Sequence, residues 1–465
     1  QLYNSITDCP HREKLGWLDV PNEMYNSLVY NYDMENFFKK VVLDCFDAQY
    51  SNGRVPSTVP HFMSVYDDDP NWGGAAILVP YRSWKTYGDV TTMTKFYPQM
   101  KKLMDYYTSK TVNHIMPGSN YSVLSDWGQE TAGVNSMVPG EFTITTTYYY
   151  MLNAMAEIAS FLGKDADAKA FLTQAQNTKK AFNERFYKNG VYEYGQQSEF
   201  AMPLYYGLVD QENEELVAAK LAERVKKDNY KIKTGEIGLK PLFMSLAKYG
   251  YNDIVYQMAN QTDCPSYGYW VKQGYTTTPE YWDVGAFSQN HCMMDHIEEW
   301  FFSQLGGIQN DGNAFDVVRI EPWIPEDMNH LDVTTRSIYG DIRCHYERGA
   351  DDEMNYTLVI PANSQANIVL PCLKDQGVFE NGKNLKNGEN GVLSVEYKDG
   401  KAYLKIGSGN YTLQIKKKDA TGIQEVNFSG VQLNDVYYDL EGRNLGKMRP
   451  SQKGIFIWNH KKVVL

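Results

Sequence analysis

The chain has little of what metal, redox, membrane or nucleic-acid chemistry requires. Its six cysteines, Cys9, Cys45, Cys264, Cys292, Cys344 and Cys372, form no C-x-x-C pair. That pattern offers neither a zinc site nor a redox motif. Six cysteines scattered over 465 residues are too sparse for a disulfide framework, so they leave the compartment open. No apolar run approaches the ~20 residues that span a bilayer. Basic residues are in the minority, with 45 Lys and Arg against 57 Asp and Glu and a net charge of −12. A nucleic-acid binder would carry a basic face, and a peripheral membrane anchor a polybasic patch. No metal, cofactor, nucleic acid or membrane span is therefore expected.

Aromatics are plentiful, at 14% of residues, including 36 Tyr and 9 Trp. Their flat faces and polar edges suit sugar rings, although most large aromatics sit in cores. The length allows two or three domains. Up to about residue 306 the apolar spacing predicts eleven helices, at 22–31, 33–50, 73–87, 90–111, 143–162, 165–187, 198–208, 212–228, 237–249, 251–260 and 288–305. Each should bury one stripe, as Leu152, Met155, Ile158 and Leu162 would. Short connections imply helical hairpins. The loops 51–72, 112–142 and 261–287 are long for a compact domain, and such loops tend to be functional. From about residue 312 strand patterns follow, as in 317–320, 356–360 and 411–415, with turn residues at 380–383 and 398–400. They predict an antiparallel β-sandwich to about residue 416. A polar linker and a short tail with strand patterning follow.

Three segments carry candidate chemistry. The first runs from Thr7 to Asp19 and packs Asp8, Arg12, Glu13, Trp17 and Asp19 around Pro10. Proline forbids a regular helix there, so the segment is a loop that aims side chains. The second runs from Tyr267 to His291 and holds Trp270, Glu280, Trp282 and Asp283. A glycosidase needs two carboxyl groups facing each other across the scissile bond. Glu13 and Glu280 could supply one each, and His291 could bond sugar hydroxyls. The third is Ser125-Asp126-Trp127, a stacking platform beside a hydroxyl acceptor, with Trp72 a further candidate. The plain alternatives are a solvated loop with surface ion pairs, a core histidine and tryptophans that anchor their own loops.

The stretch Asp8-Cys9-Pro10-His11-Arg12-Glu13-Lys14-Leu15-Gly16-Trp17 closely resembles the D-C-P-x-R-E-x-x-G-W signature of glycoside hydrolase family 78, the α-L-rhamnosidases. Gly268-Tyr269-Trp270 to Glu280-Tyr281-Trp282, Asn290-His291, Asp126-Trp127, and Trp72 with Val79-Pro80-Tyr81 and Tyr87-Gly88-Asp89 resemble further family motifs in the family's order. The chain departs from that pattern at Leu18, where Asp19 comes one place early, at Gly74, where Asp is common, and at Pro279. The resemblance covers residues 1 to about 416. It implies a mainly α fold: a six-hairpin (α/α) toroid over 1–311 and an antiparallel β-sandwich over 312–416, after which the strand patterning predicts a small β tail over 420–465. It also implies hydrolysis of terminal α-L-rhamnose on an oligo- or polysaccharide by inversion, with Glu13 as general acid and Glu280 as general base. Asp8, Arg12, Trp17, Asp19, Trp72, Asp126, Trp127, Trp270, Trp282 and His291 would line the sugar pocket. Another toroid glycosidase, or a silent carbohydrate-binding fragment, would share much of this pattern.

A closed six-hairpin array needs twelve helices and the spacing shows eleven. The expectation is that the chain is the C-terminal part of a longer protein, without its first helix. Residues 438–443, 453–457 and 461–464 resemble C-terminal segments of secreted Bacteroidetes proteins, which points to a secreted, periplasmic or cell-surface location.

Overall fold

Helical runs fill most of residues 19–305. In the computed structural model the described residues are 2, 5–62, 66–118, 123–128, 138–283, 285, 287–418, 436–447, 450–451, 453–458 and 461–464. The tail expectation for 420–435 lies outside them. Six runs form an inner ring: Asp19–Glu23 with Tyr25–Asn31, Pro70–Gly73 with Ala75–Tyr87, Gly140–Phe161, Gln197–Tyr206, Glu236–Lys248, and Ile297–Trp300 with the π-turn Phe301–Leu305. Each touches the next, and the last touches the first, so the ring closes. Among the described residues, five outer helices pack around it: Glu35–Asp47, Tyr97–Lys110, Asp165–Phe186, Glu214–Lys227 and Asn252–Ala259.

One buried stripe per helix holds for the outer helices only. Asp165–Phe186 buries Ala168, Phe171, Ala175, Thr178, Phe182 and Phe186, which share one helical face. The inner Gly140–Phe161 helix buries Leu152, Met155 and Ile158 as expected, but also Phe142, Met151, Ala154 and Ala159. A helix surrounded by neighbours has no solvent face to keep polar. The run expected over 90–111 is two helices, Thr91–Lys95 and Tyr97–Lys110. Pro98 lacks an N–H and disfavours helix at the residue before it, so it suits a first turn and not an interior. Loop 261–287 also contains a short helix, Tyr267–Lys272, capped by Ser266.

The expected helix over 288–305 is a larger correction. Only Ile297–Leu305 is helical, after a 3₁₀ turn at Cys292–Met294. Residues 288–291 are not helical, and His291 is extended. Glu280 N–H donates to Ser288 O (3.0 Å) and His291 N–H to Thr278 O (2.7 Å). Periodicity could not separate this segment from a helix start, because its pairing partner is a distant loop.

Two sheets share one buried core over residues 308–417. One has six strands, Lys383–Asn384, Gln376–Glu380, Gly409–Lys417, Met354–Ile360, Gly340–Arg348 and His330–Ser337, in that order. The other has five, Val392–Lys398, Lys401–Ile406, Gln365–Pro371, Val317–Ile320 and Ile308–Asn310. Strands alternate between buried and exposed positions, as in Lys401–Ile406. Two expected turns are tight hairpins: Asn381 and Gly382 (φ 50° and 75°), and Asp399 and Gly400 (φ 51° and 73°). Paired positive φ values match the twist of the flanking strands. One pair, Val317–Ile320 with Gln365–Pro371, is parallel. The sheet begins at Ile308, before the boundary predicted at 312. Residues 1–417 form one compact unit and 418–465 a second. Within the second, Tyr437–Tyr438, Asn444–Gly446, Ile455–Trp458 and Lys461–Val464 make a four-stranded sheet.

Candidate active site

The loop from Asp8 to Asp19 is held by its own backbone. Cys9 O accepts the N–H groups of Arg12 and Lys14 (both 3.1 Å), and Asp8 N–H donates to Leu15 O (3.1 Å). A short bridge then pins it to residues 57–59, with Val59 N–H on Gly16 O (2.8 Å) and Leu18 N–H on Ser57 O (3.0 Å). A Cβ at Gly16 would lie 2.2 Å from Val59 O, so only glycine permits this approach. Asp19 opens the first inner helix directly after.

Two aspartates tie the remaining pieces together. Asp69 caps the helix that carries Trp72 through Asn71 N–H (2.9 Å), and its other oxygen accepts Leu124 and Ser125 N–H (3.0 Å each). Asp126 accepts Ser198 Oγ (2.6 Å), Gly235 N–H (3.1 Å) and Gly238 N–H (2.7 Å). It thus joins the Trp127 loop to the start of the Glu236–Lys248 helix. Glu236 N–H donates to Trp127 O (2.7 Å). A Cβ at Gly235 would meet that oxygen at 2.2 Å.

These segments enclose a cavity of about 310 Å³ lined by Asp8, Arg12, Glu13, Trp17, Asp19, Tyr66, Trp72, Leu124, Trp127, Glu236, Glu280, Tyr281, Phe287 and His291. Trp17 Nε1 donates to Glu13 Oε1 (2.9 Å) and Trp127 Nε1 to Glu280 Oε1 (3.1 Å). Arg12 Nη2 lies 3.5 Å from the Oε2 atoms of both Glu13 and Glu280. Those two oxygens are therefore no more than twice that distance apart. Arg12 Nε donates to Ser288 Oγ (2.7 Å). Larger clefts exist, one of about 720 Å³ beside Val112–Pro117. There Arg185 pairs with Glu141 and Lys180 with Glu184.

Burial and the nearby Asp8 push the Glu13 carboxyl up, against the pull of Trp17 and Arg12. Burial would raise Asp8 too, but His291 holds it below the usual range. His291 Nδ1 is 2.6 Å from Asp8 Oδ1 and its Nε2 is 2.8 Å from Glu236 Oε2. Burial disfavours a charged imidazole, yet these contacts raise His291 well above its ordinary value. Burial lifts Glu236 to about 7, with Asp8 and Glu280 adding to the rise against His291. Burial, Glu236 and Asp8 lift Asp19 well above the carboxylate range.

Asp8, Cys9 and His291 bring ligand atoms within 4.8 Å of one another, the one such trio of metal-ligand type among the described residues. At 2.6 Å Asp8 Oδ1 and His291 Nδ1 are in direct ion-pair contact. Two ligands spanning an ion at roughly 2.0–2.2 Å from each would stand farther apart.

Three residues expected to line the pocket do not. Asp126 is fully buried behind it, holding backbone amides. Trp282 is 0% exposed and stacks on Trp270, with centroids 4.4 Å apart. Trp270 Nε1 donates to Trp282 O (3.1 Å). The pair buttresses the Glu280 loop from within the core. His291 does line the cavity, with both its nitrogens facing carboxylates. Sequence reading missed Glu236, which looks like an ordinary acid in a helix first turn. The one local signal was its flanking glycines, Gly235 and Gly238. It also missed Tyr66, Leu124, Tyr281 and Phe287, whose exposure to the cavity depends on packing.

Trp282→Ala is expected to cost roughly 3–5 kcal/mol of stability, the range for truncating a buried aromatic. Denaturant unfolding measures this. An unchanged midpoint together with a weakened KM would return Trp282 to the sugar site.

The six-hairpin glycosidase domain of bacterial α-L-rhamnosidases matches residues 2–305, and the bacterial α-L-rhamnosidase C-terminal domain matches residues 307–384. An α-L-rhamnosidase of Formosa agariphila is 27% identical over 445 residues, which is 88% of this chain and 46% of that protein. One of Streptomyces avermitilis is 24% identical over 421 residues, 88% of this chain and 39% of that protein. The chain thus spans less than half the length of these relatives. The solved α-L-rhamnosidase of Dictyoglomus thermophilum superposes with a TM-score of 0.82 at 27% identity, covering 90% of this chain and 48% of that one. The S. avermitilis α-L-rhamnosidase complexed with L-rhamnose has a TM-score of 0.80 at 22% identity, covering 89% and 39%, a likeness of fold.

Proposed function

The chain belongs to the bacterial α-L-rhamnosidases of the six-hairpin glycosidase type, and we propose that it removes terminal α-L-rhamnose from oligo- or polysaccharides of plant or microbial origin by hydrolysis. The observation that carries this is the pair Glu13 and Glu280 in one cavity. Each has an indole N–H on one oxygen, and both face Arg12 Nη2. Glu13, raised by burial and Asp8, holds the proton that the leaving oxygen needs. Glu280 takes a proton from water as that water attacks the anomeric carbon from the opposite face. The glycosidic C–O bond breaks, the leaving group departs as an alcohol, and rhamnose departs with inverted configuration. Inversion needs roughly 6.5–9.5 Å between the carboxyl groups.

A cavity of about 310 Å³ is at the small end of ligand sites, which suits one terminal ring. The resemblance of the tail to exported bacterial proteins supports action outside the cytoplasm. Two measurements test the reading. Release of nitrophenol from an aryl α-L-rhamnoside, and not from other aryl glycosides, is the expected specificity. In NMR of the fresh product, β-L-rhamnose should precede the α-anomer. The α-anomer first would overturn inversion.

A further inference from the structure

We propose that Glu236 is a positioning residue for the acid: it fixes the His291 ring against Asp8, and Asp8 against Glu13, so that Glu13 meets the leaving oxygen in its protonated form. This rests on the general-acid role of Glu13 proposed above. The chain of contacts is direct. Glu236 Oε2 is 2.8 Å from His291 Nε2, and His291 Nδ1 is 2.6 Å from Asp8 Oδ1. Asp8 lines the same cavity as Glu13, and its charge raises the Glu13 carboxyl. Asp8, Glu236 and His291 are all buried, so water does not screen the sequence of charges.

A carboxylate held against each ring nitrogen favours the imidazolium. The imidazolium keeps Asp8 ionised, and an ionised Asp8 beside Glu13 disfavours a second negative charge. The other groups near His291 do not replace Glu236. Cys9 lies 3.5 Å from the Asp8 side of the ring. Asp19 is lifted well above the carboxylate range, and burial raises Asp295 to about 7 and the Cys292 thiol well up. His296 is depressed to about 3 by burial and Lys240, so it adds no charge. Near Glu13 itself the cation is Arg12, shared with Glu280.

Removing the Glu236 charge should loosen each step in turn. In Glu236→Gln the ring keeps one carboxylate partner, and its hold on a second proton weakens. Asp8 is then less firmly ionised, and Glu13 loses its proton at lower pH. The alkaline limb of kcat/KM should therefore move to lower pH by about one unit. With a poor alkyl or glycosyl leaving group, kcat/KM near pH 8 should fall about tenfold, part of the ~10²–10⁴ that a general acid supplies. An activated nitrophenyl rhamnoside should lose much less. Glu236→Asp should restore part of the alkaline limb. A merely structural glutamate would lower activity equally on both substrates and leave the limb in place, and that result would overturn the proposal. A second readout does not depend on turnover. The wild-type chain should show downfield imidazolium N–H resonances from a buried histidine at pH 8, lost in Glu236→Gln and in His291→Gln. If the wild type cleaves no rhamnoside, the functional reading fails. The resonances then judge the Glu236–His291–Asp8 relay alone, and their absence from the wild type refutes it.

Discussion

Glu13→Gln is expected to lower kcat/KM by roughly 10²–10⁴-fold on rhamnosides whose leaving group is an alkyl or sugar alcohol. On nitrophenyl rhamnosides it should have a much smaller effect. An alkoxide leaves poorly without a proton, whereas a nitrophenolate leaves readily. The amide keeps the shape of the carboxyl and can still accept the Trp17 indole N–H seen at 2.9 Å, so the loop should stay in place. The measurement is kcat/KM across a series of leaving groups, in which the variant should show a steeper dependence on leaving-group acidity. An equal loss across the series would move the acid elsewhere in the cavity, with Asp19, also lifted well above the carboxylate range, the next candidate.

Glu280→Ala is expected to lose activity by a similar factor, but on every substrate alike. Water must be deprotonated whatever group departs. The truncation also opens space beside Trp127 Nε1 and Arg12 Nη2, which the carboxylate occupies at 3.1 and 3.5 Å. Azide fits such a space and needs no base, so it should restore part of the turnover on the nitrophenyl substrate. Attack from the water side would yield the β-rhamnosyl azide with release of nitrophenolate. Near-full activity of Glu280→Ala would place the base elsewhere. Asp283 is the neighbouring acid in sequence, and it does not line the cavity.

The two variants differ in their dependence on leaving group, and that difference distinguishes acid from base. Glu236→Gln should resemble a weakened Glu13→Gln and not Glu280→Ala, because its contacts lead through His291 and Asp8 to Glu13.

The acid loop was legible because its constraints are local. Pro10 breaks helix, Gly16 admits the backbone of 57–59, and Glu13 reaches Trp17 four residues away. The hairpin array was legible because helical periodicity and short connections survive in sequence, and the sandwich because Asn-Gly and Asp-Gly turns bracket alternating strands. Tertiary structure alone decided which aromatics face the cavity. Trp127 and Trp282 each sit beside an acid in a loop motif, yet one turns to Glu280 and the other stacks on Trp270 in the core. It also decided that residues 288–291 are not helical, since their partners are the backbone of Thr278 and Glu280. Above all it brought Glu236 to His291 across 55 positions. A motif records the residue types that a loop needs nearby. It does not record a buried carboxylate whose only claim on the site is that a ring closure of six helices places it against a distant imidazole.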